Sequence, residues 1–98
     1  MFARVNVFEG PADGLDKSLQ ISQEQALPAI RATEGSVGII ILGDRTTGRS
    51  YAITLWRDEQ ALRASEAMAD RVRTESTEAA GEKIVAVERH EVLLEERW

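Results

Sequence analysis

An α+β fold of order β-α-β-β-α-β is predicted for this chain of 98 residues. Three observations predict it. Phe2 to Phe8 alternates in period two, the spacing of a half-buried strand. Two longer segments, 15–32 and 58–80, repeat apolar residues every three to four positions, as amphipathic helices do. Between them, Val37 to Leu42 is a short β-branched run, followed by a polar turn and a returning strand. Right-handed crossovers put both helices of such a chain on one face of a four-stranded antiparallel sheet, the ferredoxin-like arrangement.

In the first strand Ala3, Val5 and Val7 point one way; Phe2, Arg4, Asn6 and Phe8 point the other. Gly10, Pro11 and Gly14 end it. Leu15, Leu19, Ser22, Ala26, Leu27 and Ile30 form the stripe of the first helix, which is expected to reach about Ala32. Pro28 lacks an N–H and crowds the turn before it, so a kink or break is expected near Ala26–Leu27. Gly35 is the expected C-terminal cap. Val37 to Leu42 is apolar on both sides and reads as a strand buried on both faces.

Asp44 to Arg49, with Gly48 late in the run, has hairpin chemistry. Tyr51 to Trp56 returns, with Tyr51, Ile53 and Leu55 on one side and Ala52, Thr54 and Trp56 on the other. Asp58 suits the N-cap of the second helix, whose stripe is Ala61, Leu62, Ser65, Met68, Ala69 and Val72. One long helix is expected, bent or frayed near Thr74. Ile84 to Leu94 is the expected last strand, with Glu95 to Trp98 as a tail.

Length predicts a single domain spanning 1–98. Cysteine is absent and histidine occurs once, which excludes a disulfide scaffold, a thiolate metal site, a Cys nucleophile and a multi-His metal site within the chain. Seventeen acidic residues against twelve basic ones leave a net charge of −5. No basic footprint for nucleic acid is visible, and the acidic surplus disfavours anionic membranes. No stretch approaches the length of a membrane span, and Met1 to Val7 lacks the pattern of a signal peptide. A cytoplasmic location is the resulting expectation.

Two helices cover only one face of such a sheet, yet strands 37–42 and 51–56 carry large apolar groups on both faces. Monomers rarely expose several hundred Å² of contiguous apolar surface. A homodimer packed sheet against sheet is therefore expected.

Asn6 in the first strand, the run Ile39-Ile40-Ile41-Leu42, the strand-to-helix passage Leu55-Trp56-Arg57-Asp58-Glu59 and the closing Val87-Glu88-Arg89-His90-Glu91-Val92 complete the pattern. With the element order, they make nearly the whole chain resemble the antibiotic-biosynthesis-monooxygenase-type domains of the dimeric α+β barrel superfamily. The resemblance implies a dimer whose two sheets form a barrel, with a pocket between sheet and helices in each subunit. Some members oxygenate aromatic polyketides without metal or flavin; others bind haem and degrade it. The haem-degrading branch pairs a strand-one Asn with a Trp and an axial His on the second helix. Asn6 fits the first role. Glu59 to Arg71 contains neither Trp nor His, Trp56 precedes the helix, and His90 lies on the last strand. No cofactor is therefore expected.

Four residues are candidates for the site. Asn6 and Arg4 share one side of the first strand; they either satisfy each other near an edge or the dimer seam, or face a substrate carbonyl or enolate. Trp56 is either a core or dimer anchor, or the flat wall of an aromatic-ligand site. His90 has the one side chain that ordinarily titrates near neutrality, which makes it a candidate general base, although Arg89 and Glu91 flank it as on a surface. Tyr51 starts a strand beside the polar hairpin and reads as structural. Arg63, Arg71 and Arg73 read as the solvated face of a helix, and Ser65 has no His–Asp partners for a triad. Two functions fit. One is cofactor-independent oxygenation of a small planar aromatic or enolisable substrate, with Asn6 and Arg4 stabilising its anion. The other is a non-catalytic dimeric module that binds a small molecule or has a structural role.

Overall fold

The computed structural model describes all 98 residues. Its strands are β1 (Phe2–Glu9), β2 (Ser36–Gly43), β3 (Arg49–Trp56) and β4 (Lys83–Glu91). They form one antiparallel sheet in the order β2-β3-β1-β4. The helices are α1 (Leu15–Ile21), α2 (Leu27–Arg31), α3 (Glu59–Ala64) and α4 (Glu66–Ala80). They pack on one face, so the fold is ferredoxin-like α+β, as the element order predicts.

Register assigns every strand residue to a face, because directly paired residues point the same way. Arg4, Asn6 and Phe8 share a face with Thr54, Ala52 and Ser50, and this is the helix side. Val5 pairs with Ile53 and Glu88, and Val7 with Tyr51 and Ala86, on the open side. Ile40 and Leu42 of β2 join that open face.

The run Val37–Leu42 is not buried on both faces. It forms an edge strand that pairs only with β3, and Val37, Ile40, Ile41 and Leu42 are all exposed within one chain. Its double-sided apolarity answers two different spaces. Ile39 and Ile41 face a cavity under the helices, while Ile40 and Leu42 face the open side.

The first helical segment breaks where proline chemistry demands it. Pro28 has no N–H for the carbonyl of Glu24, and Ser22–Ala26 widens into a π turn between α1 and α2. Gly35 does not cap α2, which ends at Arg31 with Ala32 as its C-cap. It makes the turn into β2 at φ 84°, and its carbonyl accepts from the Arg57 N–H at 2.8 Å. The second helical segment is divided at Ser65 rather than bent at Thr74. Asp58 caps α3 by accepting the Ala61 N–H at 2.8 Å. Ser65 Oγ donates to the Leu62 carbonyl at 2.7 Å, which loosens the next turn. Near Thr74 the helix runs on unbroken, with the Thr77 hydroxyl donating to the carbonyls of Arg73 and Thr74. Gly81, in the left-handed region, closes α4.

The last strand stops at Glu91, short of the expected Leu94. Glu91 pairs with Phe2, the first residue of β1, and beyond it β4 has no strand to bond. Only the Val92 N–H still reaches the Met1 carbonyl. A bulge leaves Val85 unpaired, since Val7 pairs with Ala86 and Phe8 with Ile84.

The buried core is small. Trp56, Ala61 and Leu62 form its centre, with Phe2 and Met68 packed against them. Of the eight buried apolar residues, four are alanines, so little of the large apolar volume is used up inside one chain. No helix is long and apolar enough to cross a membrane.

Candidate functional site

Between the helix-facing side of the sheet and the α1–π–α2 segment with α4 lies a cavity of about 250 Å³. The apolar stripe of the first helical segment roofs it with Leu15, Leu19, Ala26 and Ile30, and Ile39, Ile41 and Phe8 line it from the sheet. The size is just under the range of roughly 300–1,000 Å³ usual for ligand pockets, which suits one or two fused rings.

Asn6 lies at the floor, on the central strand and not at an edge. Its Nδ2 donates to the Ala52 carbonyl at 2.8 Å, and its Oδ1 accepts from Arg73 Nη1 at 3.0 Å. Asn6 and Arg4 therefore do not satisfy each other. Arg73 corrects the sequence reading. Arg63 and Arg71 are exposed as expected, but the Arg73 side chain is only 9% exposed and lines the cavity. Its one carboxylate partner, Asp70, is 3.2 Å away and stands in solvent. The signal was present in the helical spacing. Ala69, Val72 and Ser76 already mark the inward face, and residue 73 lies beside it on the wheel.

Arg4 is 1% exposed and borders the cavity, yet its hydrogen bonds all go to the protein through Nη2, and its Nε has no partner. Nη2 donates to the Leu62 carbonyl at 2.9 Å, to Ser65 Oγ at 3.1 Å and to Glu66 Oε1 at 2.9 Å. Its guanidinium lies 5.6 Å from the Trp56 ring centroid. Burial lowers the Arg4 pKa, while the bond to Glu66 works against that. Arg89 grips the same carboxylate with two bonds, at 2.8 and 2.7 Å. That fork, assisted by Arg4, holds the Glu66 carboxyl down at about 2, and the Arg89 pKa rises in return.

Trp56 is fully buried, and its Nε1 donates to Thr54 Oγ1 at 2.9 Å. It is at once a core anchor and a wall of the cavity. His90 is not brought to the site. Its register partner is Ala3, on the open face, and its Nε2 lies 2.9 Å from Glu88 Oε1 among exposed atoms. Tyr51 shares that face with Val7, and its hydroxyl accepts from Arg49 Nε at 3.1 Å. At the cavity mouth, Arg45 and Asp16 form an exposed pair at 2.9 Å, and Ser18 donates to Glu82 at 2.9 Å.

Haem iron takes His, Cys, Met or Tyr as protein ligands. No His or Cys lines the cavity; of the two other ligand types that border it, Tyr51 has its hydroxyl bonded by Arg49 and Met68 is packed against the Trp56 cluster. The donor set and the cavity size do not fit haem. What the arrangement can do is hold a small apolar ring system against Trp56 and offer its oxygen a polarised amide and a guanidinium.

The sheet, the one-sided helices and the pocket between them define the fold as that of the antibiotic-biosynthesis-monooxygenase type. A protein from Deinococcus radiodurans proposed to be an antibiotic biosynthesis monooxygenase superimposes with a TM-score of 0.73, over 100% of this chain and 98% of its own, at 12% identity. The haem degrader MhuD of Mycobacterium tuberculosis, with two haems bound in its active site, gives 0.69 over 99% and 100%, at 19% identity. SnoaB, a cofactor-independent oxygenase from Streptomyces nogalater, gives 0.60 over 96% and 97%, at 22% identity. These likenesses establish the fold. No family model matches the sequence. An uncharacterised protein of Mycobacterium tuberculosis strain H37Rv is 26% identical over 81 residues, 83% of this chain and 36% of that protein. A second from the same strain is 31% identical over 65 residues, 66% of this chain and 28% of that protein. The chain thus spans about a third of the length of the curated relatives it matches.

Proposed function

We propose that the chain acts as a homodimer that takes a small planar aromatic or enolisable molecule into the cavity under its helices and oxygenates it without a cofactor. The single observation that carries this reading is the Asn6–Arg73 pair at the floor of an otherwise apolar cavity walled by Trp56. Removing a proton from such a substrate leaves an enolate or phenolate, electron-rich enough to reduce dioxygen itself. The protein then supplies orientation and charge stabilisation. SnoaB, which shares the fold, is a cofactor-independent oxygenase.

Support for the dimer comes from surface area. The chain exposes 6240 Å², against about 5,600 Å² for a compact monomer of this mass. Part of the surplus is the open sheet face, where Ile40 is 38% and Leu42 48% exposed. A second copy, sheet to sheet, would cover that face.

One observation favours the second reading, binding without turnover. No His faces the cavity, and both carboxylates at its rim are already engaged by Arg45 and Ser18. The substrate's proton must then pass to water, which requires a substrate acidic enough to ionise near neutral pH. The experiment is oxygen consumption with anthrone and naphthohydroquinone under aerobic conditions. Asn6→Ala should lower turnover about a hundredfold, as removal of one oxyanion donor does. If the compounds raise the melting temperature with no oxygen consumed, the binding reading stands and the oxygenase reading falls.

A further inference from the structure

We infer that the cavity selects ligands bearing a negatively charged oxygen, with Arg73 as the selecting group and Ser76 as a second donor. The inference rests on the small-molecule pocket proposed above and adds to it the charge of the ligand.

It follows from which polar atoms inside the cavity are still free. A guanidinium carries five N–H donors. Arg73 uses one on Asn6 Oδ1 and one on Asp70. The acceptors nearby are already taken: Asn6 Oδ1 by Arg73 itself, and Thr54 Oγ1 by Trp56. The Thr77 hydroxyl is turned onto the carbonyls of its own helix. Ser76 Oγ is buried and has no hydrogen-bond partner. It sits three residues after Arg73, on the same face of α4, and lines the same cavity. What remains for a ligand is mainly donors: the spare Arg73 N–H groups, the second Nδ2 hydrogen of Asn6, the unpartnered Arg4 Nε and the Ser76 hydroxyl, which can donate or accept.

The charge balance points the same way. The Arg73 side chain is 9% exposed, whereas its partner Asp70 is 77% exposed and hydrated. A buried cation matched only by a solvated anion leaves net positive potential inside the cavity, where the dielectric is low. Arg4 shares Glu66 with Arg89, and Arg45 pairs with Asp16. Glu82, at the mouth, accepts only from the neutral Ser18 hydroxyl and keeps its charge, but no bond joins it to Arg73. A carboxylate, enolate or phenolate on one or two fused rings satisfies the free donors and the unmatched charge together.

Three probes of one shape separate the possibilities: 2-naphthoate, 2-naphthamide and 2-naphthylmethylammonium. They are titrated into the full chain at neutral pH and low salt, read by calorimetry and by Trp56 fluorescence in a Trp98→Phe background. Naphthoate is expected to bind about tenfold more tightly than the amide, with the ammonium weakest. Arg73→Gln should abolish the preference for naphthoate, costing naphthoate about tenfold and the amide clearly less; Ser76→Ala should weaken naphthoate severalfold. If Arg73→Gln fails to fold, the wild type still decides, because salt should weaken naphthoate and spare the amide. Equal affinity for naphthoate and naphthamide, or a preference that survives Arg73→Gln, overturns the inference and leaves the pocket reading intact. Failure of all three probes to bind overturns both.

Discussion

Arg4 Nη2 donates to the carbonyl of Leu62 at 2.9 Å, joining the central strand to the point where the second helical segment divides. The same nitrogen reaches Ser65 Oγ and Glu66, so one buried cation closes the gap between α3 and α4. The bond explains why Arg4 is buried with no ligand present.

Arg4→Ala is expected to destabilise the fold by about 2–4 kcal/mol, since it removes the bonds from Nη2 to Leu62, Ser65 and Glu66 and opens a hole beside Trp56. Arg45→Ala is the control. Its pair with Asp16 is exposed on both sides, and the loss should stay within about 0.5 kcal/mol. Urea unfolding followed by circular dichroism measures both. Equal losses would show that Arg4 does not brace the helices.

Glu66 sets an acid limb. Its folded pKa, about 2, lies below the ordinary 4.5. A depressed carboxyl stabilises the fold fully above its unfolded pKa, and that stability drains away as pH falls through the folded value. The wild type should thus exceed Glu66→Gln in stability near neutrality, and the gap should narrow between about pH 4.5 and 2. Partial exposure screens the effect. Melting temperatures of both proteins across that interval measure it, and a constant gap would contradict the Arg89 fork as its source.

Gly48 and Gly81 both have positive φ, at 80° and 68°. A Cβ on Gly81 meets nothing, so Gly81→Ala should cost only the left-handed penalty of about 1–2 kcal/mol. A Cβ on Gly48 would run into the Gly10 carbonyl, which belongs to backbone and cannot swing aside. Gly48→Ala should cost clearly more. Thermal melts of the two variants rank them, and the reverse order would refute the close approach.

Ile53 lies in the middle of the open face, paired with Val5 and Ile40. Ile53→Glu should halve the mass measured by sedimentation equilibrium if the sheets pair, with the ferredoxin-like circular dichroism spectrum retained. A wild type already at the chain mass, 10.9 kDa, at micromolar concentration would end the dimer proposal.

Most of the fold was legible because local rules sufficed for it. Alternation assigned the faces of β1 and β3, Asp58 and Gly81 marked helix ends, and Pro28 announced the interruption at Ser22–Ala26. The misplaced features all depended on neighbours. Val37–Leu42 is apolar on both sides whether it is central or at an edge, and only strand order tells the two apart. At the break, Ser65 is bonded by Arg4, which is 61 residues away in sequence. The end of β4 depends on where β1 begins. For the site, Asn6 and Trp56 were found from the sequence and do meet at the cavity, while His90 was placed by pairing on the other face.

By itself the sequence determined the element order, the ferredoxin-like class and the apolar stripes. These follow from periodicity and composition, which each segment carries alone. The tertiary structure decided the charge of the cavity. It turned Arg4 inward onto helix carbonyls and Glu66, and turned Arg73 from an assumed solvent face onto Asn6. Two arginines of identical chemistry took opposite roles because a guanidinium's work is set by which carbonyls, carboxylates and open space the packed chain brings within reach. That arrangement exists only once the helices lie on the sheet.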